Sequence, residues 1–280
     1  MPPRLLAFDL DGTLLTSDKR LSRANAAALN DMAARGATVV LASGRIGSSM
    51  MRYVRELACD PALLTLNGAA VFTGARQGAR LVYSAPLDPT SAAALVEHSE
   101  KAAYAVNYYC DGAVYTVRNG LTARWNDLYY AQTSSEFRLM DSLRPMEGRS
   151  PHKIIFVGEP AVLDKEEFEL RKRWGSSLYI VRTWDYYLEF LSPVADKGKG
   201  LAALAKEYGV PLSESAAFGD ADNDIPLFAA ARVAVAVKNA SLGAKAAATL
   251  VSRWTNDEDA VAREWERMKI DAASGNEKSR

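Results

Sequence analysis

The feature that most constrains this chain is a rhythm that starts, stops and resumes. Near the N-terminus short apolar runs alternate with helix-length segments. Arg4 to Phe8 is a candidate buried strand. Ser22 can cap a helix through about Arg35, with Gly36 as its stop. Thr38 to Ala42 is a β-branched second strand, a helix over Ser48 to Leu57 follows, and Leu63 to Leu66 forms a third strand. This order implies a parallel sheet with right-handed crossovers. A hairpin, Val71-Phe72 with Leu81 to Tyr83, closes the first part.

From about Ser84 to Glu189 aromatic residues concentrate, among them Tyr104, Tyr108, Tyr109, Trp125, Tyr129, Trp184 and Tyr187. Here the pattern predicts helix (90–102), two strands, helix (121–131), a polar loop through Pro151, strand, helix (160–174) and two strands. That is an α+β layer and not a continuation of the parallel sheet. After Ser192-Pro193 the first rhythm returns. Helices are expected over Lys197 to Tyr208, Asn223 to Ala230, Ser241 to Ala247 and Asn256 to Met268. Strands are expected over Ser215 to Phe218, Val233 to Val237 and Thr249 to Val251. The last ten residues, Asp271 to Arg280, read as a frayed end. The fold class is therefore α/β. A doubly wound, Rossmann-like parallel-sheet core spans 1–83 and 190–280, and an α+β cap domain is inserted at 84–189.

Composition narrows the function classes. Lys and Arg number 34 and Asp and Glu number 34, so the chain is neutral and unsuited to binding nucleic acid by bulk charge. Residues are 49% apolar and 24% charged, as in ordinary soluble domains. The longest apolar runs are too short to span a membrane, and the start lacks a signal-peptide pattern. Two cysteines, Cys59 and Cys110, make no disulfide framework. The expectation is a cytoplasmic protein, a monomer or weak homodimer, with neither nucleic acid nor membrane as partner.

Chemistry-bearing residues gather where predicted strands end. Asp9-Leu10-Asp11-Gly12-Thr13 follows the first strand, and two carboxylates so close repel unless a cation joins them. Asp220-Ala221-Asp222-Asn223-Asp224 follows another strand and exceeds what helix capping needs. Ser43-Gly44-Arg45 ends the second strand with a hydroxyl and a glycine N–H, the makings of an anion cradle. Lys197 starts a helix, where its charge opposes the macrodipole and asks for a nearby anion; its neighbour Lys199 reads as solvated. Ligands of open α/β sheets bind at the carboxyl ends of strands. The set suits phosphoryl transfer, which needs positioning and charge neutralisation, and a carboxylate can serve as the nucleophile.

In this order, Asp9-x-Asp11-Gly-Thr, Ser43-Gly-Arg, Lys197 and Gly219-Asp220-x-x-Asn223-Asp224, the chain resembles the haloacid dehalogenase (HAD) superfamily of phosphatases. The place and size of the insertion, Leu66-Asn67-Gly68-Ala69, and the tail Asn239-Ala240 with Asn256 to Ala262 are similar to its Cof-like subfamily with a type IIB cap. The resemblance implies that Asp9 attacks phosphorus and that Asp11 protonates the leaving alcohol and then activates water. It implies Mg²⁺ as cofactor, held by Asp9, the Asp11 carbonyl, Asp220 and Asp224. It places Ser43, Gly44 and Lys197 around the phosphoryl oxygens, Asn223 orienting the lysine or phosphate, and Thr13 steadying the first loop among the phosphate-site residues. Arg45 and Asn67 are candidate substrate contacts.

Lys238 stands where the subfamily usually carries glycine; it reads as solvated, with contact to an anionic substrate as the alternative. His98 and His152 fall in the insertion without motif neighbours, and its aromatics read as a sheet face. The implied activity is Mg²⁺-dependent hydrolysis of a small phosphate ester (a sugar phosphate, nucleotide or phosphorylated cofactor) through an aspartyl phosphate. A phosphomutase of the same fold and a non-catalytic ligand sensor are the alternatives.

Overall fold

The computed structural model describes residues 3–100 and 102–277, which form two compact units. The first comprises residues up to Gly44, Met50–Tyr83 and the chain from Asp196 onward.

The chain begins with β1 (Leu5–Asp9), α1 (Arg23–Ala34), β2 (Thr38–Ala42), α2 (Gly47–Val54), β3 (Ala62–Thr65), β4 (Ala70–Phe72) and β5 (Leu81–Ser84). Ser22 caps α1 by accepting from the Asn25 N–H. The inserted unit comprises Arg45–Ser49 and Ser84–Ala195. It holds α3 (Pro89–Ser99), β6 (Ala105–Cys110), β7 (Ala113–Val117), α4 (Ala123–Thr133), β8 (Phe137–Met140), β9 (Lys153–Val157), α5 (Pro160–Trp174), β10 (Tyr179–Trp184) and β11 (Tyr187–Leu191). The first unit then resumes with α6 (Lys197–Tyr208), β12 (Ser215–Gly219), α7 (Ile225–Ala230), β13 (Val233–Ala236), α8 (Leu242–Ala247), β14 (Leu250–Val251) and α9 (Ala260–Glu277).

In the first unit the strand order is β14-β13-β12-β1-β2-β3-β4-β5. Pairings from β14 through β3 are parallel, and β4 turns antiparallel to β3. Residues alternate between two apolar layers. Leu6, Phe8, Leu41, Phe218 and Val235 face α1, α2 and α9 through Leu29, Tyr53 and Trp265. Leu5, Ala7, Val40, Ala217 and Ala234 face α6, α7 and α8 through Leu204, Phe228 and Ala244. Burial on both faces is why these strands read as continuous apolar runs. Asp9 pairs with Ala42, and Phe8 with both Leu41 and Phe218, so the loops after β1, β2 and β12 leave side by side.

The inserted unit has a six-stranded sheet ordered β10-β11-β9-β6-β7-β8. Its pairings are antiparallel except that of β7 with β8. One face, with Tyr104, Val106, Tyr108, Ile154, Phe156 and Phe190, packs on α3 and α5. The opposite positions carry buried polar groups: Asn107, Thr116, Lys153 and Glu189.

Three expectations are corrected. The segment read as a polar loop through Pro151 contains β8 and a 3₁₀ turn at Arg144–Met146. A four-residue edge strand interrupted by Arg138 leaves too short an alternation to register. The inserted unit ends at Ala195, beyond Glu189, because Phe190 and Leu191 belong to β11 and pair with Ile180 and Tyr179. The last helix does not stop near Met268 but runs to Glu277; of the stretch read as frayed, 278–280 lie outside the described residues.

Candidate active site

The site is built where β1 and β12 end and α6 begins. Asp9 is the last residue of β1 and is buried. Gly12 follows with φ +83° and lies against Asp220; a Cβ there would fall 2.4 Å from Asp220 Oδ2. Only glycine combines that backbone with that approach. Thr13, fully buried, donates its hydroxyl to Asp220 Oδ1 at 3.0 Å. Its place is thus behind a carboxylate, and its hydroxyl is committed there.

Lys197 opens α6 with no exposed surface. Its Nζ donates to Asp9 Oδ1 at 2.5 Å and to Asp224 Oδ1 at 2.6 Å. Asp196 caps the helix by accepting from the Lys199 N–H, which leaves the lysine side chain to the two carboxylates. The second oxygen of Asp224 accepts from the backbone N–H groups of Asp220 and Ala221. Asp224 therefore acts as a local cap and as a lysine partner at once. One oxygen each from Asp9, Asp220 and Asp224 lies within 4.8 Å of the others.

Charge dominates this cluster. Burial raises the Asp9 carboxyl well above its usual value; Lys197 opposes the shift, while Asp224 and Asp220 add to it. Burial and the neighbouring Asp224 push Asp220 up to about 6, against the Thr13 hydrogen bond. For Lys197 burial disfavours the charge, but Asp224 and Asp9 outweigh it and hold the amine above its ordinary value. Three carboxylates against one ammonium leave a negative excess, and an all-oxygen donor set of that charge fits a hard divalent cation.

The Asp11 carboxylate stands apart from this trio and pairs with Lys19 Nζ at 2.9 Å. Lys19, not singled out in the sequence, adopts φ +61° and is anchored by the Tyr53 hydroxyl, which donates to its carbonyl. The signal was faint, one of two adjacent cations, Lys19 and Arg20, in a polar loop. Asn239 and Asn256 complete the first loop's support. Asn239 Nδ2 donates to the Gly12 carbonyl at 2.8 Å, and Asn256 Nδ2 to that of Leu15 at 2.9 Å.

Ser43, nearly inaccessible, leaves β2 with its N–H donated to Leu64 O and its carbonyl accepting from Asn67 N–H. Gly44 lies against the Asn67 carboxamide. Asn223 Nδ2 donates to Asn67 Oδ1 at 3.0 Å and makes no bond to Lys197. Asp9 and Asp224 are the two groups that flank the Lys197 amine. Arg45 groups with the inserted unit, away from the other motif residues in the division of the chain.

The whole length from residue 6 to 264 matches the model of the haloacid dehalogenase-like hydrolase family. The chain belongs to that family. It is 29% identical over 238 residues to the HMP-PP phosphatase of Cronobacter sakazakii, covering 85% of each chain. It is 28% identical over 281 aligned residues to phosphatase YwpJ of Bacillus subtilis, covering 92% of this chain and 97% of that one. The crystal structure of a haloacid dehalogenase-like hydrolase from Bacteroides thetaiotaomicron superposes with a TM-score of 0.86 at 27% identity, over 95% of this chain and 99% of that one. This hydrolase is accordingly a Cof-like phosphatase, an enzyme that cleaves phosphoric monoesters.

Outside that site the insert holds a second polar cluster that sequence patterns missed. Lys153 Nζ meets Glu189 Oε2 at 3.2 Å, both buried, and Glu189 also accepts from the Thr183 hydroxyl at 3.0 Å. The Tyr109 and Tyr129 hydroxyls bond each other, and Tyr187 bonds Gln132. His98 pairs with Glu166, and His152 Nε2 lies 2.9 Å from Ser84 Oγ. Lys238 is exposed. Among the described residues, no helix is long and apolar enough to cross a membrane.

Proposed function

We propose that this hydrolase is a Mg²⁺-dependent phosphatase that cleaves a small phosphate ester through an aspartyl phosphate on Asp9. The observation that carries the reading is the buried Lys197, held between Asp9 and Asp224 with Asp220 beside them. A lysine fixed against a strand-end carboxylate can neutralise an incoming phosphoryl group without reorganising.

A carboxylate oxygen of Asp9 attacks phosphorus, and the bond to the ester oxygen breaks. The leaving alkoxide takes the proton of Asp11. A water then attacks the phosphorus of the aspartyl phosphate, passes its proton to Asp11, and the P–O bond to Asp9 breaks, releasing inorganic phosphate. Ser43, the Gly44 N–H and Lys197 hold the phosphoryl oxygens. Asp9, Asp220 and the Asp11 carbonyl would hold Mg²⁺, with Asp224 close by; when bound, the ion supplies positive charge that offsets the charge of the transferring group. Thr13 keeps Asp220 oriented as its supporting partner. Arg45, which follows Ser43-Gly44 in the chain, is a candidate contact to the ester.

The test is phosphate release from a panel of sugar phosphates, nucleotides, flavin mononucleotide, pyridoxal phosphate and HMP-PP, with Asp9→Asn and Asp11→Asn beside the parent. Asp9→Asn is expected to lose turnover and phosphoenzyme while staying folded, and Asp11→Asn to slow both half-reactions. Turnover by Asp9→Asn would overturn the nucleophile.

A further inference from the structure

Three consecutive residues after β3 hold left-handed backbones: Leu66 (φ +51°), Asn67 (φ +56°) and Gly68 (φ +92°). Leucine and asparagine there carry strain that persists only where the surroundings over-determine it, and such strain clusters at functional sites. The surroundings do so here. Gly68 lies so close to the start of α6 that a Cβ would fall 2.1 Å from the Asp196 carbonyl oxygen. The Asn67 N–H donates to the Ser43 carbonyl at 2.9 Å. The Asn67 carboxamide lies along Gly44, 3.2 Å from where its Cβ would be, and accepts from Asn223 Nδ2 at 3.0 Å.

We infer that Asn67 is a positioning residue that acts through Asn223, tying the loop after β12 to the Ser43–Gly44 loop. The strained turn supplies a side chain that reaches Asn223 from the β2 side, and asparagine is the residue type that both tolerates this backbone and offers an amide acceptor. The geometry makes Asn67 a strut between two segments that, in the reading above, surround the phosphoryl group. The inference rests on that reading.

The experiment is a double-mutant cycle in kcat/KM with Asn67→Gly and Asn223→Ala, alongside Asn67→Asp. Glycine keeps the left-handed backbone and removes only the tie, so the fold is retained, with Tm within about 3 °C of the parent. Asn67→Gly is expected to lower kcat/KM by about 10-fold to 100-fold, the range of lost supporting contacts around a site. The double variant should be no slower than Asn223→Ala alone, since one route is being cut twice. Asn67→Asp keeps the acceptor for Asn223 and should retain more activity than Asn67→Gly. Additive losses, parent-like activity in Asn67→Gly, or a loss that Asn67→Asp does not soften would overturn the inference. Asn67→Gly with full activity beside an inactive Asp9→Asn would sink this inference alone. An active Asp9→Asn would instead sink the reaction on which it rests.

Discussion

Lys197→Met offers the sharpest test of the charge arrangement, because the side chain has no exposed surface and two charged partners. Methionine keeps most of the volume and removes the ammonium. Two buried carboxylates then lose a donor at 2.5 and 2.6 Å. Breaking a buried ion pair from one side costs about 3–5 kcal/mol, because the remaining charge stays desolvated. For a chain of this size that is a Tm decrease of about 6–20 °C. The direction with pH follows from linkage. Asp9 already has a raised pKa, and without the lysine's opposing influence it rises further. An acid whose folded pKa exceeds its unfolded value destabilises the fold above the folded pKa, and the penalty fades as pH falls through it. The deficit of the variant should therefore be largest at pH 7.5 and shrink toward pH 5. Differential scanning calorimetry on metal-free protein at both pH values checks this. A variant as stable as the parent at pH 7.5, or a deficit that widens on acidification, would refute the assigned charges.

Other outcomes follow from the same geometry. Exhaustive chelation should abolish turnover and Mg²⁺ restore it, and metal at 100 times its Kd should stabilise the fold by about 2.7 kcal/mol; turnover that survives chelation refutes the metal site. Gly68→Ala sets a Cβ 2.1 Å from Asp196 O at φ +92° and should destabilise by about 2–4 kcal/mol in urea unfolding. Burial lowers the His152 pKa, with Asp111 opposing. Its protonation therefore favours the unfolded chain, and its contribution to stability should be lost as pH drops below about 6.5. Tm measured from pH 7.5 to 5 should fall more for the parent than for His152→Gln, and parallel curves would remove the assignment.

Much of the fold was legible because the core strands are local and apolar on both faces. Arg4 to Phe8, Thr38 to Ala42 and Ser215 to Phe218 stand out as runs because the doubly wound sheet buries both of their sides. Ser22, Gly36 and Gly209 marked helix ends through chemistry confined to a turn. Asp9, Asp11, Asp220 and Asp224 were visible as clusters because each lies within a few residues of a strand end. β8 was not, since a short edge strand gains its pairing from β7 and not from its own pattern.

The sequence by itself thus determined the kinds of groups available and their order along the chain. What only tertiary structure decided was which of them meet. Lys197 and Asp9 are 188 residues apart, Asn223 and Asn67 156, and Thr13 and Asp220 207, yet each pair is within hydrogen-bond distance. Spacing encodes neighbours within a helix or strand. Pairing across the sheet depends on register, which places the ends of β1, β2 and β12 side by side. That register commits Asp224 to the lysine, Thr13 to Asp220 and Asn223 to Asn67. The Lys153–Glu189 pair in the insert has the same origin, two charges on neighbouring strands joined only when β9 and β11 pair.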